Sequence, residues 1–165
     1  MRWIWIDTFT EFEPGKKASA VKNVTLAEEH VHDYAPGYPV LPPSLMIEGM
    51  AQTAGILVGE ARGFRENVIL AKVRRATFDE YGIAGDRLTY TAVLDSIDHA
   101  AATTRGEVFR NGKKIGTVDL IFSHVDQSAS DLDLPDRNFV FGDTFLDLLE
   151  NYRIHDGDRR LTGDG

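Results

Sequence analysis

The stretch from Tyr34 to Gln52 reads Tyr-Ala-Pro-Gly-Tyr-Pro-Val-Leu-Pro-Pro-Ser-Leu-Met-Ile-Glu-Gly-Met-Ala-Gln, a proline-punctuated loop running straight into an apolar segment. Pro36, Pro39, Pro42 and Pro43 exclude a helix before Ser44 and favour extended backbone at the residues preceding them. From Ser44 on, Leu45, Met46, Ile47, Met50, Ala51, Ala54, Ile56, Leu57 and Val58 fall on nearly every face of a helix. Such a helix is expected to be buried all round, and other elements must wrap it. Gly63 offers the left-handed residue that would stop it. One carboxylate, Glu48, lies inside the segment, and burying it is costly unless it is hydrogen-bonded or neutral. Gln52 stands one turn later on the same face, within reach of it.

The wrapping material is a set of strands. Residues 3–6 and 18–26 read as strands before the helix, and 68–78, 87–95, 103–109 and 115–123 as strands after it. Their Val, Ile, Thr, Tyr and Phe content and partial alternation suit a half-buried antiparallel sheet. Asn111-Gly112, between Arg110 and Lys113, predicts a hairpin, because this pair accepts the two positive φ angles of a type I′ turn. The fold class is therefore α+β, an antiparallel sheet with one apolar face and one long helix to cover.

The order of these residues resembles the β-hydroxyacyl-acyl-carrier-protein dehydratases, the FabZ/FabA type of hot-dog fold protein. That family reads His-Phe-Pro-Gly-x-Pro-x-x-Pro-Gly, then four residues, then the catalytic acid and x-Met-Ala-Gln. Laid on this chain without a gap, the pattern matches Pro36, Gly37, Pro39, Pro42, Glu48, Met50, Ala51 and Gln52. The resemblance runs from about Trp5 to Val125 and takes in Ile6-Asp7, the segments 13–16 and 22–25, and Gly85-Asp86. It implies a hot-dog fold, with the sheet wrapped around the central helix. It also implies an activity, dehydration of a β-hydroxyacyl thioester, with Glu48 giving its proton to the leaving hydroxyl. Pro36, Gly37, Pro43, Ser44 and Gln52 become the substrate-binding candidates, with no cofactor and no metal. Apart from the resemblance, Glu48 is either such an acid or a structural carboxylate satisfied by Gln52 or backbone.

Three family positions carry other residues. The catalytic histidine falls on Tyr34, the glycine after the last loop proline on Pro43, and a basic carrier-binding patch on Asp79-Glu80. A phenol ordinarily ionises near pH 10, so basic action at neutral pH takes a drop of roughly three units, about 4 kcal/mol. Tyr34 suits hydrogen-bond donation better than proton abstraction. His32 is the alternative base; on extended backbone it would share a side with Tyr34, about 6.6 Å along the chain. His30 and His32 with Glu28 have spacing a divalent metal could use, but no fourth ligand is marked. Pro43 has no N–H to polarise a thioester carbonyl and is at home in a first helical turn, so Ser44 offers the next donor. Lys72, Arg74 and Arg75 in one strand, and Arg110, Lys113 and Lys114 in a hairpin, are either solvated charges or contacts for a thioester's carrier. The acidic pair Asp79-Glu80 would repel an acidic carrier protein, which makes coenzyme A the alternative to it.

Composition sets the outer bounds. A chain of 165 residues, 42% hydrophobic, buries one core. Zero cysteines exclude disulfides and thiolate chemistry. A net charge of −8 argues against nucleic acid, and no apolar run is long enough for a membrane span. Without a signal-like N-terminus, a soluble cytoplasmic protein is expected. Residues 1–126 form the expected hot-dog domain. Residues 127–165 hold nine Asp/Glu and four Arg, and read as an acidic extension with a linker. It carries a short amphipathic helix, with Phe145, Leu148, Leu149 and Tyr152 on one face, Asp143 as N-cap, and a disordered last eight residues. That helix either lies on its own sheet or serves as a lid or docking helix. A homodimer or dimer-based hexamer is implied by the family, whose cleft lies between subunits. Alternatives to the dehydratase are a non-catalytic acyl-thioester-binding homologue and a hot-dog thioesterase.

Overall fold

The computed structural model describes residues 3–125 and 142–162. Strands β1 (Thr8–Glu13) and β2 (Lys17–Asn23) precede a single-turn helix α1 (His30–Asp33) and the short strand β3 (Val40–Leu41). The long helix α2 (Pro43–Ala61) follows. After it come β4 (Asn67–Phe78), β5 (Gly82–Ile83), β6 (Arg87–Ile97), β7 (Ala101–Arg110) and β8 (Lys113–Val125), and then α3 (Asp143–Thr162). Six strands form one antiparallel sheet in the order β1-β2-β6-β7-β8-β4, and β3 pairs with β5 beside it. The sheet curls around α2, which packs on β6, β4, β2, β7 and β8. This is the expected hot-dog fold.

Helix α2 is buried on every face through its middle, from Gly49 to Gly59. It starts at Pro43, one residue earlier than expected, because proline's fixed φ and missing N–H suit the first helical position. It ends at Ala61, with Gly63 left-handed at φ 64°. Close approach to the sheet is made possible by missing side chains. A Cβ on Gly49 would lie 2.6 Å from the ring of Tyr90, and one on Gly106 2.5 Å from the Met50 sulfur. Tyr90 is fully buried with its hydroxyl unpartnered, and burial pushes its pKa up.

The Asn111-Gly112 hairpin forms as expected, both residues at positive φ (51° and 87°). Other expectations need correction. Residues 3–6 are not a strand. They form an extended strap over α2, and pairing begins only at Asp7, whose N–H donates to Val21 O at 2.7 Å. The second strand stops at Asn23 rather than residue 26, since Val24 N–H turns to Asp86 O at 2.9 Å. Residues 30–33 are helical, held by the fully buried Val31. Helix α3 runs 20 residues, with Asp143 inside it rather than capping it, and its backbone is helical through Thr162, where disorder was expected. The linker expectation falls outside the described residues. Helix α3 lies against β1, where Leu149 is buried, Phe12 N–H donates to Tyr152 Oη at 3.2 Å, and Arg153 pairs with Glu60 at 2.9 Å.

Gly106 tests this packing. Its added Cβ would also sit 2.7 Å from the Val118 carbonyl oxygen, a backbone atom that cannot swing away. Gly106→Ala is expected to cost about 1–3 kcal/mol. An unchanged urea midpoint would show that α2 does not press on β7 as described.

Candidate active site

Ser44, Glu48 and Gln52 stack at i, i+4 and i+8 on one stripe of α2. The N-terminal strap crosses that stripe. Gln52 Oε1 accepts the N–H of Trp5 at 2.8 Å, and Gln52 Nε2 donates to Trp3 O at 3.1 Å and to Glu48 Oε1 at 2.9 Å. The indole N–H of Trp3 donates to the same Glu48 oxygen at 3.1 Å. Two donors thus occupy Oε1 and leave Oε2 as the carboxylate's open oxygen. Glu48 is only half-buried, and it borders a cavity of about 200 Å³. The cavity floor is the α2 stripe from Glu48 through Gly55 to Ile56; Val68 and Leu70 of β4 and Phe122 of β8 form walls. Trp3 and Phe145 contribute from the two chain ends.

The other expected site residues lie apart from this cavity. Pro36 and Gly37 occupy the central positions of a turn closed by Tyr38 N–H to Ala35 O at 2.9 Å. Gly37 has φ 79°, as a type II turn demands. Tyr34 continues the helical backbone of α1, is half exposed, and meets Tyr81 edge-on with ring centroids 6.1 Å apart. Because this backbone is helical, His32 and Tyr34 do not share a side as strand residues would; positions two apart on a helix diverge. The same holds for His30 and His32, so the spacing that suggested a shared metal face does not produce one. His32 Nε2 lies 3.0 Å from Leu26 O. A carbonyl only accepts, so the neutral ring carries its proton on Nε2 and its lone pair on Nδ1.

At the start of α2, Pro43 has no N–H, and the N–H groups of Leu45 and Met46 turn back to Pro42 O at 2.9 and 3.2 Å. Ser44, exposed at the second helical position, keeps the open N–H of this first turn. The acidic pair is also less repulsive than its sequence suggests. Glu80 is paired with Arg110 at 2.7 Å and with Lys113, whose hydrogen bond holds its carboxyl below the usual range. Arg75 pairs with Asp119 at 2.8 Å. Gly85-Asp86 proves structural: Asp86 accepts from Ile83 N–H at 2.9 Å and from Asn111 Nδ2 at 2.8 Å.

Sequence reasoning missed two contributors. Trp3 holds Glu48, and Phe145 walls the cavity from α3. The segment singled out for its metal-like spacing packs against the strap instead. His30 packs edge-on against Trp5 at 4.4 Å, its Nε2 lies 3.8 Å from Glu28, and Glu28 also pairs with the buried Lys22. The available signal was Trp3 and Trp5, the only two tryptophans, placed side by side at one end of the chain.

A family model described as a FabA-like domain matches residues 3–119. The chain belongs to the FabA-like family. It is 31% identical over 118 residues to a 3-hydroxyacyl-[acyl-carrier-protein] dehydratase FabZ of Clostridium acetobutylicum, across 71% of this chain and 84% of that protein. Among solved structures, the dehydratase heterocomplex ApeI:P of Xenorhabdus doucetiae matches with a TM-score of 0.64 at 17% identity, covering 76% of this chain and 86% of that one. A hypothetical thioesterase of Streptococcus pneumoniae, solved with coenzyme A, matches at 0.59 and 9% identity, over 72% and 85%. Hot-dog proteins of both dehydratase and thioesterase kinds share the fold.

The strap depends on one amide. Gln52→Leu should leave the Trp5 N–H buried without an acceptor, a cost of about 1–3 kcal/mol. Thermal unfolding and tryptophan emission read the result, and a wild-type melting temperature with wild-type emission would contradict the strap geometry.

Proposed function

We propose that this FabA-like chain dehydrates β-hydroxyacyl thioesters, with Glu48 as the acid. The observation that carries the reading is the one-sided tethering of the Glu48 carboxylate at the head of a mostly apolar cavity. A general acid must present one oxygen in fixed orientation, and two N–H donors on Oε1 leave Oε2 to face substrate. In the step itself the α-C–H and β-C–O bonds break and the α,β double bond forms. Oε2 gives its proton to the departing hydroxyl, which leaves as water.

The second half of the site comes from a second copy of the chain. Tyr34 and His32 do not line the Glu48 cavity of their own chain. Strand β4 is a 12-residue sheet edge with Ile69, Leu70 and Val73 partly exposed, whereas the opposite edge, β1, is covered by α3. A sheet edge of that length with exposed apolar side chains calls for a partner, and pairing β4 with β4 makes a homodimer with two clefts. The partner loop then brings His32 Nδ1 as base for the α-proton, and Tyr34 as a hydrogen-bond donor to the thioester carbonyl. Ser44 N–H supports that carbonyl, aided by the positive end of α2. Pro36 and Gly37 shape the loop, Pro43 starts the helix that offers Ser44, and Gln52 positions Glu48. The acyl group arrives on a carrier protein or coenzyme A, and the pairing of Glu80 with Arg110 and Lys113 lowers the local objection to an acidic carrier.

The test is hydration of crotonyl thioesters on coenzyme A and on acyl carrier protein, followed by loss of ultraviolet absorbance. Glu48→Gln is expected to lower the rate about 10²–10⁴-fold, and His32→Ala to lower it by a similar factor by removing the base. A second reading draws on the tyrosine at the family's histidine position: a non-catalytic thioester-binding subunit. Thioester binding without turnover in wild type would replace the dehydratase reading with that one. Hydrolysis of the thioester would point instead to a thioesterase.

A further inference from the structure

The cavity beside Glu48 is closed by an element outside the matched family domain. Its floor runs along α2 from Glu48 to Ile56, eight residues or about 12 Å of helix. Phe145, which lines it, belongs to α3, beyond the last matched residue, 119. Its position along the floor follows from its neighbours. The adjacent Leu146 shares a hollow with Phe64, just past the C-terminus of α2, and Arg153 pairs with Glu60 in the last turn of α2. These neighbours place Phe145 toward the Ile56 end of the floor. Helix α3 is held there by four separate contacts: buried Leu149, the Phe12 N–H bond to Tyr152, the Phe9–Tyr152 ring contact at 6.5 Å, and the Arg153–Glu60 ion pair. The aromatic ring is thus fixed as an end wall.

We propose that α3 sets the acyl-chain length this cleft accepts, with Phe145 as the stop that restricts it to short acyl thioesters. The inference rests on the acyl-thioester reading above. A chain entering with its thioester beside Glu48 extends along Ala51, Gly55 and Ile56, where each buried methylene adds affinity until it meets the ring. Removing the ring opens the floor toward the hollow beneath α3; enlarging it shortens the floor.

The experiment measures binding by calorimetry, with acyl-pantetheine thioesters as probes, since this portion is common to carrier protein and coenzyme A. Butyryl, octanoyl and dodecanoyl forms are titrated into full-length wild type, Phe145→Ala and Phe145→Trp. Wild type is expected to favour butyryl over dodecanoyl. Phe145→Ala should gain about tenfold or more for dodecanoyl while changing little for butyryl. Phe145→Trp, which keeps an aromatic anchor for α3, should lose affinity for octanoyl. The same length profile in all three proteins overturns the proposal, and with wild-type hydration of crotonyl thioester intact it overturns this proposal alone. Failure of wild type to bind any of the thioesters would sink both this proposal and the acyl-thioester reading.

Discussion

Helix α2 is buried on every face through its middle, and the described strands, the strap and α3 are arranged around it. A single sheet cannot enclose a helix. The sheet covers most of α2, with Gly49 and Gly106 letting the two surfaces meet closely. What remains is closed by segments from the chain's ends: the Trp3–Ile6 strap along the Glu48–Gln52 stripe, and α3 near the helix's C-terminus. The cavity is the gap between these covers. Its location follows from how the burial problem was divided, because an enclosed helix leaves space only where two covering pieces fail to touch.

The polar side chains on α2 are treated in a way that separates structure from chemistry. Gln52 has both amide protons engaged, with Trp3 O and Glu48 Oε1, and its oxygen accepts Trp5 N–H, so it fixes the strap and has no donor left for substrate. Thr53 returns its hydroxyl to Gly49 O at 2.8 Å. Glu48 keeps Oε2 open beside the cavity, so the strap network ends on the one oxygen it holds.

Much of this was legible from residue order. The proline loop, the length of α2 and the Asn111-Gly112 turn rest on local backbone preferences, and those survive into the fold. The strap did not read correctly. Trp3, Ile4, Trp5 and Ile6 have strand-like composition, yet their partner is the side chain of a residue 47 positions away, a tertiary bond that no local pattern reports. Helix α1 was missed for the opposite reason. One turn is too short for periodicity to show, and its cause is the burial of a single residue, Val31. That error carried into the site, because the shared side assigned to His32 and Tyr34 assumed a strand. The amphipathic face of α3 was visible, but a sequence pattern says which residues seek cover and not what they cover, so Phe145's place in the cavity had no signal.

The departures at Tyr34 and Pro43 weigh differently once the geometry is considered. Proline at the first helical position removes one N–H but moves nothing, since the N–H of Leu45 and Met46 are already committed to Pro42 O and Ser44's stays open one residue on. A donor has been displaced rather than lost. Tyrosine for histidine is a deeper change, because a phenol and an imidazole differ in which direction the proton travels. In the proposed dehydration Glu48 is already the donor, so a second donor at Tyr34 leaves the α-proton without a taker, and elimination needs one. On that proposal His32 answers the need through Nδ1, the nitrogen its contact with Leu26 leaves open, and from a partner subunit, since it does not line the Glu48 cavity of its own chain. The proposed catalysis therefore depends on the β4 edge as much as on Glu48.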